Sequence, residues 1–424
     1  MIHFLLKGLL RDRSRSLFPV LVVTMGVALT VLLQSWMGGV MGDMIRTNAA
    51  FATGHVKVTT RAFAENEGQN PTDLALLGVG GLISTLHERH PGIQFVPRIR
   101  FGGLLDIPDE QGETREQAPV AGQGIDLFSP GTSEVARLNI ESSIVRGRLP
   151  QSPGEALISD GLACKLDVAL GSPATLLSST MHGGMTMHNF TIVGTVRFGI
   201  AAMDRGAVIA DITDIRQALD MDDAAGEILG YFRDGQYRDA KAVRIARELN
   251  ASVPDSADEF APLARALRDQ NDLAEYLDMA RHMAGILITV FVMVMSVVLW
   301  NLALIGGLRR YGEVGVRLAM GEEKGHVYRS LIIESIAIGL VGSIIGTGIG
   351  LGLAWYLQVH GLDIGAMMDN SSMMLPSVMR ARITALSFYI GFIPGLLSTV
   401  LGTALSGIGI YRRQTAQLFK ELET

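Results

Sequence analysis

Residues able to do chemistry are sparse in this sequence, and their spacings fall short of known sites. His87-Glu88-Arg89-His90 sets two imidazoles three residues apart, one short of the H-E-x-x-H pair that places two zinc ligands on one helical face. Pro91 follows, so the run reads as a solvated helix end. Gly321-Glu322-Glu323-Lys324-Gly325 has the residue types of a phosphate loop but not the G-x-x-x-x-G-K-[ST] spacing. No G-x-S-x-G nucleophile elbow occurs. Met181, Met185 and Met187 alternate with His182 and His188. Thioethers with imidazoles suit Cu(I), flexible methionines suit variable apolar partners, and a mobile loop can carry methionines for no chemical reason. Met367, Met368, Met373 and Met374 raise the same alternatives. The single cysteine, Cys164, makes no intramolecular disulfide and no metal site. The expectation is a chain with no catalytic residues, no metal site, no cofactor of its own and no enzymatic activity.

The most distinctive polar text is Arg309-Arg310-Tyr311-Gly312-Glu313-Val314-Gly315-Val316-Arg317-Leu318-Ala319-Met320-Gly321. Val314 with Leu318, and Val316 with Met320, offer apolar anchors between charges. A short amphipathic helix of this kind can dock in a groove on a partner. The residues alone fit a charged connector equally well.

The elements that position these residues follow from charge. No Asp, Glu, Lys or Arg occurs in Ser16–Gly42, Met283–Leu308, Ser335–Leu362 or Ile383–Tyr411. A bilayer core about 30 Å thick needs roughly 20 apolar residues in a helix, and each run exceeds that. The expected fold class is therefore a membrane protein with one N-terminal and three C-terminal transmembrane helices. A large α+β domain is inserted between helices 1 and 2. The first run is too long for a signal-peptide core. The composition agrees: 48% of the 424 residues are hydrophobic, and the mean hydropathy is +0.31. A net charge of −6 excludes a nucleic-acid footprint.

Basic residues set the orientation. Lys7, Arg11, Arg13 and Arg15 precede the first span; Arg309, Arg310, Arg317, Lys324 and Arg329 lie between the second and third; Arg412, Arg413 and Lys420 follow the fourth. These segments are expected in the cytoplasm, and the large domain outside it. Neither span 3 nor span 4 has a buried charge within it, which argues against a proton- or sodium-coupled transporter.

Finer expectations follow from local pattern. Residues 1–16 read as a helix lying on the inner leaflet. His55–Val58 alternates as a strand, Leu82–His90 reads as a helix, and Phe95–Ile107 as a strand pair around Gly102-Gly103. Asp160 is the expected N-cap of a helix to Leu166. Ile228–Phe232 is the last expected strand, and Pro262–Arg281 is expected to be a helix running into span 2. Gly342, Gly346 and Gly350, four apart in span 3, mark a helix-packing face. Pro394-Gly395 is the expected kink of span 4.

The 309–321 segment resembles the MacB/FtsX-like ABC transporter permeases, which carry R-x-x-E-I-G-V-x-R-A-L-G there. Arg310, Glu313, Val314, Gly315, Arg317, Ala319 and Gly321 fit, with Leu318 displaced and Met320 in place of Leu. Leu331-Ile332-Ile333-Glu334-Ser335 with Gly339 and the glycines after it resembles the family's third span. The outer domain is most similar to the lipoprotein-releasing LolC/LolE branch, through Gly147-Arg148, Gly154-Glu155-Ala156-Leu157-Ile158 and Phe190-Thr191-Ile192-Val193-Gly194-Thr195. The hook loop of the LolC-type subunit is not recognisable.

The resemblance implies a bacterial inner-membrane permease whose large domain lies in the periplasm. The implied boundaries are 17–41, 283–308, 331–358 and 383–411 for the helices, 42–282 for the domain with its stalks, 309–330 for a cytoplasmic coupling loop, 359–382 for a periplasmic loop and 412–424 for the tail. The implied partners are a cytoplasmic ABC ATPase carrying ATP and Mg, a second permease copy or paralogue, membrane lipids, and a periplasmic chaperone or adaptor. Arg310, Glu313, Val314, Gly315, Arg317, Leu318, Ala319 and Gly321 would couple to the ATPase. Met37, Met41, Met44, Met279, Met283 and Ile286 would meet lipoprotein or lipid-like cargo.

Overall fold

A computed structural model describes residues 13–199, 201–253, 258–270, 273–363 and 378–412. They form two units: 13–42, 278–362 and 378–412 in one, and the described residues of 43–277 with Asp363 in the other.

The first unit is helical. Helix α1 (Arg13–Asn48) carries the first uncharged run. Three helices among the described residues are long and apolar enough to cross a membrane: Leu17–Thr53, Lys324–His360 and Ala385–Ser406. A fourth long helix, Leu273–Ala319, contains the shorter apolar stretch Ile288–Asn301. Residues 1–12 of the expected surface helix, and Met367, Met368, Met373 and Met374, lie outside the described residues.

The second unit is built on a ten-stranded sheet. In chain order the strands are β1 (Val56–Thr60), β2 (Leu76–Leu77), β3 (Ile93–Pro108), β4 (Thr114–Ile125), β5 (Ile144–Gly147), β6 (Glu155–Ser159), β7 (Pro173–Ser179), β8 (Met185–Val196), β9 (Ala207–Asp211), β10 (Ala224–Ala225), β11 (Glu227–Phe232) and β12 (Pro262–Ala266). β2 and β10 pair apart from the rest. The main order is β12-β1-β11-β3-β4-β9-β6-β8-β5, and β7 bridges β3 and β8. The strands β3, β4, β9, β6, β8 and β7 therefore close into a ring. Phe101, Leu105, Leu176, Phe190 and Ile192 are among the buried side chains of the large core cluster. Closure leaves these strands no free edge within the ring.

The helices of this unit are amphipathic and cover the strands: α2 (Val79–Arg89), α3 (Asp160–Lys165), α4 (Ile212–Leu219) and α5 (Asp239–Ala251). The Asp211 carboxylate caps α4, accepting from Thr213 N–H at 2.9 Å.

Four expectations are corrected. Pro262–Arg281 is not one helix: β12 comes first, at the sheet edge, where Pro262 needs no ladder N–H. Asn250 then covers the backbone of Ala264 with two side-chain hydrogen bonds, 2.7 and 2.8 Å. Ile228–Phe232 is thus not the last strand. Gly102-Gly103 makes no turn: β3 runs through it, and a Cβ on Gly103 would collide with the Leu177 carbonyl of β7. Asp160 does not cap α3; its carboxylate faces Arg146 at 2.9 Å and Thr195 Oγ1 at 2.9 Å. Side-chain partners from other strands outcompete the local cap.

Candidate functional site: the long apolar helices and the α1 terminus

Helix α6 (Leu273–Ala319) carries the distinctive segment as its last turns. It is a continuation of a 47-residue helix, not a separate short one. Arg310, Glu313, Val314, Gly315, Arg317, Leu318 and Ala319 all lie on α6. Val316, Arg317 and Met320 are exposed. The helix ends in a Schellman cap: Met320 ends the helical stretch, Gly321 takes φ +91°, and Glu322 N–H donates to Arg317 O at 3.1 Å. Helix α7 (Lys324–His360) begins three residues later. The cap explains Gly321 as a backbone requirement.

The glycine stripe of α7 faces α1. A Cβ on Gly342 would lie 2.7 Å from Val23, on Gly346 2.6 Å from Thr24 O, and on Gly350 2.8 Å from Val31. Val23, Val27 and Val31 are fully buried. Gly391, just before the last helix, and Gly395 within it face Val27 as well. Pro394 lies midway along the apolar stretch Ala385–Ser406, in the first turn of α8 (Phe392–Arg412), where its missing N–H leaves no helical bond unmade.

Met37, Met41 and Met44 occupy i, i+4 and i+7 of α1, and Met279, Met283 and Ile286 repeat that spacing on α6. Met37, Met44, Met279, Met283 and Ile286 are exposed, and Met41 is half-buried. Each helix thus presents a soft apolar face.

The Met/His segment is a tight hairpin, not a loop: Thr180 N–H donates to Gly184 O at 2.7 Å and β8 starts at Met185. Strand alternation sends exposed Met185 and Met187 to one face and His188 to the other. The imidazole of His188 lies against Phe190. Among the described residues, no group of three His, Cys, Asp or Glu side chains is placed to hold a metal.

The most developed polar constellation is one that sequence pattern did not single out. After α1 the chain makes a π-helical turn, Ala49–Thr53. Arg98 Nη1 donates to Ala50 O at 2.6 Å, Arg100 Nη2 to Ala52 O at 2.9 Å, and Tyr231 Oη to Ala49 O at 3.1 Å. Arg98 is 1% exposed. Its Nε donates to Glu134 at 2.7 Å; Glu134 also pairs with Arg137, whose guanidinium stacks 3.7 Å from the Tyr231 ring centroid. Arg100 pairs with buried Glu227 at 3.0 Å, and Glu227 with buried Lys57 at 3.0 Å. Burial opposes charge on Arg98, but Tyr231 and Glu134 outweigh it and hold its pKa above the ordinary value. Burial likewise opposes charge on Glu227, but Arg100 and Lys57 hold its pKa down.

Residues 285–415 match the FtsX-like permease C-terminal family. By that match the C-terminal part of the chain is an FtsX-like permease domain. The lipoprotein-releasing system transmembrane protein LolC of Xylella fastidiosa (strain 9a5c) is 23% identical over 350 residues, covering 81% of this chain and 77% of that protein. The macrolide export ATP-binding/permease protein MacB of Rhodopseudomonas palustris (strain HaA2) is 35% identical over 54 residues, 13% of this chain and 8% of that protein. A MacB of Hyphomonas neptunium (strain ATCC 15444) is 31% identical over 64 residues, 15% of this chain and 10% of that protein. The periplasmic region of MacB from Actinobacillus actinomycetemcomitans aligns in structure over 54% of this chain and 95% of that one, at 11% identity and a TM-score of 0.36.

Proposed function

We propose that this chain is the transmembrane permease subunit of an ABC transporter that extracts lipoprotein or lipid-like cargo from the bacterial inner membrane. In this reading four helices cross the membrane, α6 among them, and the sheet-rich unit lies in the periplasm. A separate cytoplasmic ATPase binds ATP and Mg and drives the cycle by hydrolysis. The observation that carries the reading is the match to LolC, which runs through the soluble unit as well as the permease helices. The methionine faces of α1 and α6 would meet the acyl chains, since unbranched thioether side chains adapt to varied apolar shapes. Two copies, or this chain and a paralogue, would enclose the cargo.

The end of α6 and its Gly321 cap would be the coupling element. The exposed Arg317 and Met320 offer a charge and an apolar anchor to a groove on the ATPase. The test is ATP hydrolysis by the reconstituted complex. Glu313→Arg and Arg317→Glu are expected to abolish cargo-stimulated hydrolysis while the protein still inserts. Unchanged stimulation in both would remove the coupling role.

A second reading has the permease drive a periplasmic adaptor in drug or peptide efflux, or a cell-wall hydrolase, without carrying cargo itself; the matched MacB proteins are named for macrolide export. Purification with such a partner and no bound lipid would select it.

A further inference from the structure

A helix leaves its last four carbonyls without partners, and its C-terminus carries partial negative charge. In a membrane helix that ends in a folded domain, those carbonyls are the joint. Here they are taken up one after another. Ala50 O receives Arg98 Nη1 and Tyr231 Oη, Phe51 O receives Arg98 Nη1 at 3.5 Å, Ala52 O receives Arg100 Nη2, and Thr53 O receives Gln270 Nε2 at 3.4 Å; Ala49 O, already bonded by Gly54 N–H at 2.9 Å, also receives Tyr231 Oη. The donors come from β3, β11 and the segment after β12. Three of them are held by further groups: Arg98 by Glu134, Arg100 by Glu227, and Tyr231 under Arg137. Apolar packing alone permits a helix end to roll. Directional, charge-assisted bonds to successive carbonyls fix its azimuth as well as its depth.

We propose that Arg98, Arg100 and Tyr231 are positioning residues that lock the rotation of the α1 terminus to the β3–β11 part of the sheet, so that movement of α1 reaches the domain without slip. The proposal rests on the transporter reading for its purpose but not for its geometry. A purely structural role needs only that the buried charges be satisfied. A locking role needs the carbonyl contacts themselves.

The two roles separate in variants that keep the core satisfied. Replacing both members of a buried ion pair by apolar residues is often tolerated, whereas removing one leaves a buried charge. Arg98→Met with Glu134→Leu therefore removes the central contact with its counter-ion, while Arg137 keeps its hydrogen bonds to Gln94 Oε1 and Ser133 Oγ. Tyr231→Phe removes only the hydroxyl.

The experiment is electron spin resonance on the full chain in lipid nanodiscs, with Cys164→Ser and spin labels at Arg46→Cys on α1 and Gln117→Cys on β4. All three positions are exposed. A second label pair, Gln117→Cys with Arg244→Cys on α5, monitors the domain itself. The expected result is one narrow distance distribution for the first pair in the parent. That single peak is lost in the combined Arg98→Met, Glu134→Leu, Tyr231→Phe variant, while the second pair is unchanged. An unchanged first pair overturns the proposal. Should both pairs broaden in the triple variant, Tyr231→Phe alone decides: a first pair broadened with the second intact supports the lock, and no change in the first overturns it. No ATPase is needed, so a failure of the transporter reading shows separately, as absence of any ATP-driven shift in the parent complex.

Discussion

Gly346 of α7 lies so close to Val27 of α1 that a Cβ added to it would sit 2.8 Å from the Val27 Cβ. The same approach repeats one turn up at Gly350 and Val31, and one turn down at Gly342 and Val23. Lipid provides little hydrophobic drive between helices, so close backbone packing has to hold them. The opposite side of α7, with Ile344, Ile345 and Ile349, is exposed and apolar.

Gly346→Leu should therefore lower the thermal stability of the detergent-solubilised chain, by about 1–3 kcal/mol as overpacking does. Gly348→Ala should not, because nothing lies within 4 Å of its added Cβ. Paired melting curves check this. Equal loss in both variants would remove the packing role of the stripe.

His55 should give the domain a pH dependence. It is 3% exposed, its Nδ1 accepts from Phe232 N–H at 3.0 Å, and Phe232, Tyr231 and Tyr237 surround the ring. Burial, then the charge of Arg137, lowers its pKa from 6.5 to about 4. Between those values the unfolded chain binds the proton and the folded chain does not. Stability is thus full above 6.5 and falls as pH drops toward 4, by roughly 3 kcal/mol from this group. Urea midpoints of the full chain on either side of that window check the sign. His55→Phe should flatten the slope, and an unaltered slope would assign it to other groups.

The Gly321 cap predicts a backbone effect without a steric one. Its φ is +91° and its Cβ would meet nothing within 4 Å. Gly321→Val should cost about 1–3 kcal/mol in strain. Because the strain is local, amide hydrogen exchange at Glu322 should speed up while that of the strands stays unchanged. Protection equal to the parent would mean that the cap is not required.

The permease helices were legible because membrane insertion imposes a coarse, local rule: long runs without charge. The glycines of α7 could be marked by spacing, but not their partners, since Val23, Val27 and Val31 look like any apolar helix residues. The soluble unit was less legible. Pro262–Ala266 has no alternation and opens on proline, and only its edge position makes it a strand. Arg98 and Arg100 sit two apart in an alternating strand, which pattern alone assigns to solvent. They are covered because the end of α1, far away in sequence, lies on that face. Lys57 and Glu227 are buried charges for the same reason: their partners come from β1, β3 and β11. Such long-range pairing leaves no periodic trace. Helix α6 was misjudged at its ends, since helical text from Leu273 to Ala319 crosses both an apolar stretch and a charged one.

The central claim is that this chain works with a separate ATPase on lipid-anchored cargo. Its most direct test is affinity purification of the tagged full chain in mild detergent, with mass spectrometry of the co-purifying proteins and lipids. The account predicts an ABC ATPase together with an acylated lipoprotein or a specific lipid. Purification without any nucleotide-binding protein would contradict it.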